Sequence, residues 1–216
     1  MGGGDSAAND KRERRISRYS SWQDILLVGE GNFSFAAALA SAFKSAPSLV
    51  ATSLDSRDIL LQKYPNDFPD HLETMEKAGT DVMHDVNVHT MAKDKRLRRR
   101  KFDCIIYNFP HSGFVPCWRE NSPALIKKHR ELLRGFFKSA AKLLGEDGEI
   151  HVTHHVGWPY TEWKIEEAAV ESGLRLARRP KFKAHAFPGY RNCRGAGAHW
   201  GRSFPIDNSA TFIFST

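Results

Sequence analysis

Short apolar runs alternate with segments of helical periodicity along the chain from about Trp22 onward. Short apolar runs are typical of buried strands, whereas apolar positions three and four residues apart are typical of helices. Because strands that alternate with helices usually form a parallel sheet covered on both faces, the pattern predicts an α/β domain. The predicted strands are residues 24–28, 49–54, 80–84, 102–107, 149–153, 174–182 and 210–214, and the predicted helices are residues 33–46, 58–64, 71–78, 122–144 and 163–172.

The last two predicted strands are joined by a polar segment without a helix. Two strands joined in this way usually pair antiparallel, because a parallel crossover needs an intervening helix or a similar link. We therefore expect a doubly wound, mostly parallel seven-stranded sheet with an antiparallel strand near the C-terminus. The domain is predicted to occupy residues 21–216.

Residues 1–20 are rich in Gly, Asp and Arg and have almost nothing to bury. This composition predicts a disordered basic tail. The first six residues also satisfy the loose N-myristoylation pattern, and the basic cluster after them would supply a second membrane signal. Because the pattern is short and permissive, a flexible start is the preferred interpretation.

Composition narrows the class of protein. The chain has 216 residues, of which 41% are hydrophobic and 26% are charged, as in a globular protein of one domain. No apolar run approaches the roughly 18–20 residues of a membrane-spanning helix, and the N-terminus lacks the apolar core of a secretory signal. Three widely spaced cysteines are typical of a reducing compartment. We expect an intracellular protein that is not secreted.

Two glycines directly follow the first predicted strand, within the segment Gly29–Ser34. Glycine lets the backbone turn tightly and approach a ligand, and the next helix offers unpaired N–H groups to an anion. Asp55 ends the second strand, where an acidic residue commonly binds ribose hydroxyls. The glycines, the spacing and the acid together favour a nucleoside-containing cofactor over a purely structural turn.

A missing glycine narrows the choice of cofactor. A nicotinamide-binding fingerprint has a third glycine where this chain has Ser34. S-adenosylmethionine has no pyrophosphate to accommodate, so the sequence favours this methyl donor, although a small serine would also fit a dinucleotide. Asp85, after the weak third strand, is a candidate contact for the adenine amino group.

The fourth predicted strand ends in Asn108, Phe109, Pro110 and His111, at the same edge of the sheet as the glycines. An Asn amide both donates and accepts hydrogen bonds, which suits the edge of a nucleobase. Phe109 can stack, Pro110 stiffens the turn, and His111 can move a proton near neutral pH. The alternative is an ordinary turn with an aromatic plug. The motif resembles the Asn-Pro-Pro-aromatic loop of base amino-methyltransferases, but it differs at two of four positions.

Histidines cluster around the fifth predicted strand, at His151, His154 and His155. On a strand, His151 and His155 share one face while His154 lies on the other, so the three do not converge. No zinc-binding motif accompanies them. We therefore expect no metal site.

The positive charge of the chain is concentrated in two segments. The net charge is +7, with +6 in Lys93–Lys101 and +8 in Arg175–Arg202, which leaves −7 for the rest. The second segment also contains aromatic residues, a mixture suited to phosphate contacts and base stacking. A solvated charged face usually explains one such run, but two favour RNA or another polyanion as partner. Both segments are adjacent in sequence to parts of the predicted site.

Four segments resemble the large-subunit rRNA (uridine-N3)-methyltransferase family. They are residues 25–35 (ILLVGEGNFSF), 51–56 (ATSLDS), 107–114 (YNFPHSGF) and 148–153 (GEIHVT), and Pro188–Tyr190 is another marker. The resemblance extends from about Tyr19 to the C-terminus. It implies a Rossmann-like fold, S-adenosylmethionine as methyl donor, and methylation at N3 of a uridine in large-subunit (25S) ribosomal RNA.

The resemblance and the residue chemistry together divide the candidate residues by role. Ribosomal RNA or a pre-ribosomal particle is the expected partner, in the nucleolus or cytoplasm, and DNA is not expected. A methyltransferase acting on another base or RNA, or a catalytically silent RNA-binding relative, is the alternative. The candidates are Gly29, Glu30, Gly31, Asn32, Phe33, Ser34, Asp55 and Asp85 for the cofactor, Asn108, Pro110 and His111 for catalysis, and Phe109, Tyr190, Arg191 and Arg194 for the substrate.

Overall fold

A computed structural model describes residues 12–113, 118–197 and 199–216. In these residues the chain forms nine strands and five α-helices. The strands are β1 (Arg15–Ile16), β2 (Tyr19–Ser20), β3 (Ile25–Val28), β4 (Leu49–Thr52), β5 (Asp81–Met83), β6 (Phe102–Asn108), β7 (Leu144–His155), β8 (Arg175–Arg178) and β9 (Ser209–Ser215). The helices are α1 (Ser34–Phe43), α2 (Arg57–Lys63), α3 (Phe68–Ala78), α4 (Pro123–Leu143) and α5 (Ile165–Val170).

Seven of the strands form one sheet, in the order β5-β4-β3-β6-β7-β9-β8. The strands pair parallel from β5 to β7, and β9 is antiparallel to both of its neighbours. This confirms the predicted α/β class, the number of strands and the antiparallel strand near the C-terminus. Strand order reverses beside β3, so the carboxyl ends of β3, β4 and β6 border a crevice, where open α/β sheets bind ligands.

Helices cover both faces of the sheet because the central strands are apolar on both sides. All four residues of β3 are buried. Helices α4 and α5 pack on one face, with Phe136 and Phe137 at the centre of that core, and α1 and α3 pack on the other, with Leu39 and Met75. Pro123 begins α4, a position where its missing N–H costs no helical hydrogen bond. No helix in the described ranges is long and apolar enough to cross a membrane.

The last residues of the predicted disordered tail, 15–20, form regular structure. Strands β1 and β2 form a small antiparallel hairpin, and the Tyr19 ring lies 5.6 Å from the His151 ring and 6.2 Å from that of Phe35. Tyr19 is buried against residues that are distant in sequence, and this packing holds the polar β1–β2 hairpin on the domain. Residues 1–11, which include the myristoylation pattern, lie outside the described residues.

Candidate functional site

A cleft of about 420 Å³ opens at the carboxyl ends of β3, β4 and β6, and its size falls within the usual range for small-molecule sites. All of the predicted site residues except Phe33, Asp85 and Pro110 line it. The main lining segments are Gly29–Asn32, Ser53–Asp55, Asn87–His89, Asn108–Phe109, His111–Gly113 and Tyr190–Ala196. The cleft therefore joins the predicted cofactor loop, the predicted acceptor loop and the final basic loop.

Gly29 allows the first turn of the cleft for two reasons. Its φ is +66°, a conformation that disfavours residues with a side chain. A Cβ atom there would also lie 2.5 Å from Cε2 of Tyr107. The glycine thus lets β3 and β6 approach each other at the floor of the cleft.

The Glu30 carboxylate forms a hydrogen bond to the N-terminus of α1. Oε2 accepts a hydrogen bond from the N–H of Ala36 in the first turn of α1 (3.2 Å), and the backbone oxygen of Glu30 accepts one from Ser53 Oγ (2.7 Å). Burial raises the pKa of Glu30 to about 7. The helix N-terminus predicted to receive a ligand anion is therefore partly satisfied by a residue of its own loop.

Asn32 and Ser34 connect the glycine loop to the final loop. Ser34 Oγ donates to the backbone oxygen of Arg191 (2.9 Å) and accepts from its N–H (3.1 Å). Asn32 accepts from the N–H of Ser34 (3.2 Å) and lies 3.4 Å from Cys193 Sγ through Nδ2. Phe33, between them, has a left-handed backbone and is fully buried beside Phe68. Its place in the core corrects its assignment to the cofactor.

Asp55 lines the cleft where a ribose-binding acid is expected. Its Oδ2 accepts a hydrogen bond from Lys63 Nζ (2.6 Å), and the same ammonium group donates to the backbone oxygen of Gly195 (3.0 Å). The acid is thereby linked to the final loop through one lysine. Asp85 is exposed and does not line the cleft, which corrects its assignment, whereas Asn87, two residues later, does.

Asn108 lies at the end of β6, and both of its side-chain polar atoms, Oδ1 and Nδ2, are buried without a hydrogen-bond partner among the described residues. Buried polar groups in proteins are nearly always hydrogen-bonded, and exceptions commonly mark functional sites or bound solvent. An amide that offers one donor group and one acceptor to a cleft is complementary to the edge of a planar base.

Phe109 continues the strand with φ +49°, a conformation that costs a bulky residue free energy and that clusters at functional sites. Its N–H donates to the Thr153 carbonyl (2.8 Å), which holds the turn. The ring packs 5.2 Å from Phe204 and 5.5 Å from His155. Pro110 is buried and does not line the cleft, so its role there is to shape the turn.

Both ring nitrogens of His111 are engaged. Nδ1 accepts a hydrogen bond from the Gly113 N–H (3.1 Å), so Nε2 carries the proton and donates to Glu120 Oε1 (3.1 Å). Burial raises the pKa of the Glu120 carboxyl, but the hydrogen bond from His111 and the charge of Arg194 outweigh it, so the pKa of Glu120 is lowered. The only lone pair of the His111 ring is on Nδ1, so His111 accepts a proton only after it releases the Gly113 N–H.

A third titratable residue meets this pair. One ligand atom each from His111, Glu120 and His129 lies within 4.8 Å of the other two. The histidines of β7 are not part of this group. His151 bonds to Glu149 (3.0 Å) on the face of the sheet that Tyr19 covers.

The final loop brings three predicted substrate residues to the cleft. Tyr190 packs its ring 5.4 Å from that of Phe35, Arg191 pairs with Asp67, and Arg194 is exposed. Arg191 and Arg194 are both exposed at the cleft and are both candidates for an RNA phosphate.

The first basic segment reaches the opposite edge of the sheet. Arg100 pairs with Asp81 at the start of β5 (2.9 Å), and Lys101 donates to the backbone oxygens of Lys142 (3.0 Å) and Leu144 (3.2 Å). Its adjacency in sequence to β6 therefore does not bring the end of the segment to the cleft.

Several residues that line the cleft were not predicted from the sequence. Asn87 could have been found from its place after β5, at the same sheet edge as the glycine loop. Lys63 and Phe204 reach the cleft through tertiary contacts that no local pattern encodes. Others of this kind are Val88, His89, Leu132 and Cys193.

Comparison with known proteins agrees with this geometry. The family model described as rRNA (uridine-N3-)-methyltransferase BTM5-like matches residues 26–194. The chain is 44% identical to Uncharacterized protein At4g26485 of Arabidopsis thaliana over 94% of this chain and 97% of that protein. It is 25% identical to the 25S rRNA (uridine(2634)-N(3))-methyltransferase of Saccharomyces cerevisiae over 88% and 74%.

The fold is also found among solved structures. The crystal structure of NSun6 from Pyrococcus horikoshii with SFG has a TM-score of 0.56 and 15% identity, covering 90% of this chain and 48% of that one. The predicted Rossmann-like methyltransferase fold and its cofactor, S-adenosylmethionine, are confirmed. The match over most of its length shows that the chain belongs to the rRNA (uridine-N3-)-methyltransferase BTM5-like family.

Proposed function

We propose that this protein transfers a methyl group from S-adenosylmethionine to N3 of a uridine in large-subunit ribosomal RNA. The observation that carries the proposal is the unpartnered amide of Asn108, buried at the border between the cofactor side of the cleft and its aromatic side. Family membership and the name of the yeast relative support the choice of a uridine N3.

The cofactor side of the cleft fits a nucleoside with an attached amino acid. Gly29 and Gly31 leave the backbone open, and Asp55 offers a carboxylate to ribose hydroxyls. Asn87 lines the cleft two residues after Asp85 and offers its amide to the adenine. Its Oδ1 also accepts a hydrogen bond from the N–H of His89 (2.9 Å). When bound, S-adenosylmethionine supplies an electrophilic methyl group on its sulfonium.

The acceptor side fits an unstacked pyrimidine. Phe109 and Phe204 form an aromatic wall, and Tyr190 lies on the same loop as the arginines. Uridine N3 is buried in Watson–Crick pairing, so the base must leave its stack to be methylated. Asn108 Nδ2 donates to O4 or O2 of the uracil and thereby fixes N3 for in-line attack on the methyl group.

N3 of uridine carries a proton that must leave for the nitrogen to act as a nucleophile. His111 is the titratable residue of the acceptor loop that lines the cleft. It takes the proton at Nδ1 after release of the Gly113 N–H, and Glu120 then stabilises the imidazolium through Nε2–H.

The partner follows from the same proposal. A ribosomal RNA or a pre-ribosomal particle would contact the final loop through Arg194 and its aromatic neighbours, in the nucleolus or the cytoplasm. The loops around the cleft would then select the substrate.

Incubation of the protein with labelled S-adenosylmethionine and total RNA, followed by nucleoside mass spectrometry, tests the function. The expected product is N3-methyluridine from large-subunit rRNA. Another methylated nucleoside would assign a different acceptor, and cofactor binding without any methylated RNA would identify a silent RNA-binding relative. Either result contradicts the proposal.

A further inference from the structure

We propose that His111, Glu120 and His129 bind a divalent transition-metal ion, with Zn²⁺ the best match, at the edge of the cleft. The three residues come from the loop after β6, from the turn before α4 and from α4 itself. Their ligand atoms lie within 4.8 Å of one another. The proposal does not depend on which base the protein methylates, but in the metal-bound form His111 is a ligand, so the N3 proton leaves through water in the cleft and not through His111.

His129 is already prepared to bind a metal. Its Nδ1–H donates to the Leu125 backbone oxygen (2.8 Å), which leaves the lone pair on Nε2. The ring is fully buried and stacks on Trp163 at 3.5 Å, so its orientation is fixed. A histidine whose second nitrogen donates to a backbone carbonyl is the usual arrangement in metal sites, because that bond sets the tautomer.

Glu120 presents a second buried lone pair. Oε1 accepts from His111, but Oε2 and His129 Nε2 are both buried without a partner among the described residues. The two side chains have ligand atoms within 4.8 Å of each other, so one positive group could satisfy both acceptors. A metal ion satisfies both at once, since a carboxylate oxygen and an imidazole nitrogen are both ligands of Zn²⁺.

His111 supplies the third ligand. Metal binding at Nε2 requires the other neutral tautomer of His111, so the single ring proton leaves Nε2 to solvent and Nδ1 takes up one proton from solvent in its place. Nδ1 then carries a hydrogen and no lone pair, so the Gly113 N–H must turn away. Gly113 has φ +95°, and a glycine at this position permits a wider range of backbone conformations than any other residue.

The ligand set indicates the kind of ion. Two imidazoles and one carboxylate, with a fourth position left for water, are typical of Zn²⁺ sites with an open position. Zinc bonds of about 2.0–2.2 Å place tetrahedral ligand atoms about 3.4 Å apart. Ligand atoms that now lie within 4.8 Å of one another would therefore move closer by at most about 1.4 Å. Such an ion would fasten the Asn108–His111 loop to α4.

Zinc binding to the untagged protein, measured by titration against a competing chelator and by elemental analysis, tests the site. We expect about one Zn²⁺ per chain, and Co²⁺ in its place should give the visible bands of a tetrahedral ion without thiolate charge transfer. Glu120→Gln and His129→Gln should each weaken zinc binding about 100-fold. His185→Gln, an exposed histidine outside the cluster, is the matched control and should bind zinc as the wild type does.

Circular dichroism without metal checks that each variant is folded, and Glu120→Gln carries the test if His129→Gln unfolds. Three results would overturn the proposal. These are no stoichiometric zinc in the wild type, equal zinc affinity in Glu120→Gln and the wild type, or Co²⁺ spectra with thiolate bands, which would place the ion on cysteine.

Discussion

The two sides of the cleft differ in how far the protein satisfies its own polar groups. On the cofactor side, Glu30 bonds to α1, and Asp55 bonds to Lys63. On the acceptor side, both polar atoms of the Asn108 amide are buried without a partner, beside the strained Phe109.

This difference indicates that the two sides are built for different tasks. The cofactor side holds its shape without a ligand, because Glu30 and Asp55 and the hydroxyls of Ser34 and Ser53 are bonded within the protein. The acceptor side keeps an amide unpaired, which costs free energy that a bound base would recover. Removing a group from the acceptor side should therefore impair methyl transfer, and removing one from the cofactor side should impair cofactor binding or stability.

The largest effect is expected for Asn108→Ala. Loss of one oriented hydrogen-bond donor should lower the single-turnover rate of methyl transfer about 100- to 1,000-fold. Cofactor affinity, measured by calorimetry, should remain close to that of the wild type. The exposed Asn66→Ala is the matched control. If the variant instead loses cofactor binding, Asn108 belongs to the cofactor side of the cleft and not to the acceptor side.

Glu30→Gln should alter the pH dependence of stability. Because the folded-state pKa is about 7 against 4.5 for the free group, the folded protein holds a proton that the unfolded chain has lost. The free energy of unfolding of the wild type should therefore fall by roughly 3 kcal/mol relative to that of the variant as the pH rises from 4.5 through 7. Urea unfolding at a series of pH values measures this difference. Parallel curves for the two proteins would show that Glu30 ionises normally.

Gly29→Ala tests the close approach of β3 to β6. The left-handed backbone costs an alanine about 1–2 kcal/mol, and the contact with Tyr107 adds about 1–3 kcal/mol of overpacking. Gly79→Ala is the control, because Gly79 also has a left-handed backbone (φ +80°) but none of the described atoms lies within 4 Å of the new Cβ. It should therefore show the backbone cost without the overpacking. Urea unfolding should show the larger loss for Gly29→Ala, and equal losses would remove the steric argument.

Asp55→Asn should weaken S-adenosylmethionine binding about tenfold, the effect of losing one charged hydrogen bond of about 1.4 kcal/mol. Asp58→Asn, an exposed aspartate in α2, is the control. Calorimetry measures both affinities, and circular dichroism should show an unchanged fold. Equal affinity in the Asp55 variant and the wild type would exclude a ribose contact.

The smallest effect is expected from the first basic segment. Replacing the exposed Lys95, Arg98 and Arg99 by glutamine should lower RNA affinity about threefold at low salt, because these residues act through long-range charge. Arg194→Gln, at the cleft, should have the larger effect per charge removed. Filter binding over a range of salt concentrations measures both effects. If the first basic segment has the larger effect per charge, the RNA contacts the far edge of the sheet and not the final loop.

The sequence predicted the parts of the fold that local patterns encode. The apolar run of β3, the proline at the start of α4 and the helix-free connection before β9 each have a direct structural cause. The β1–β2 hairpin could not be predicted in this way, since it depends on Tyr19 reaching His151, 132 residues away.

The site shows the same limit. Asn108 and Asp55 were found because they end strands, and the ends of parallel strands share one edge. Phe33 and Asp85 were assigned from their neighbours in sequence, but one belongs to the core and the other lies outside the cleft. The group of His111, Glu120 and His129 joins a loop to a helix, which no spacing motif describes.

The most direct test of the account is the product formed on large-subunit rRNA that lacks the modification. Wild-type protein and the Asn108→Ala variant, both saturated with S-adenosylmethionine, are followed over time by mass spectrometry of the released nucleosides. The account predicts that N3-methyluridine accumulates with the wild type and forms at least about 100 times more slowly with the variant. A product methylated at another atom, or equal rates for the two proteins, would contradict it.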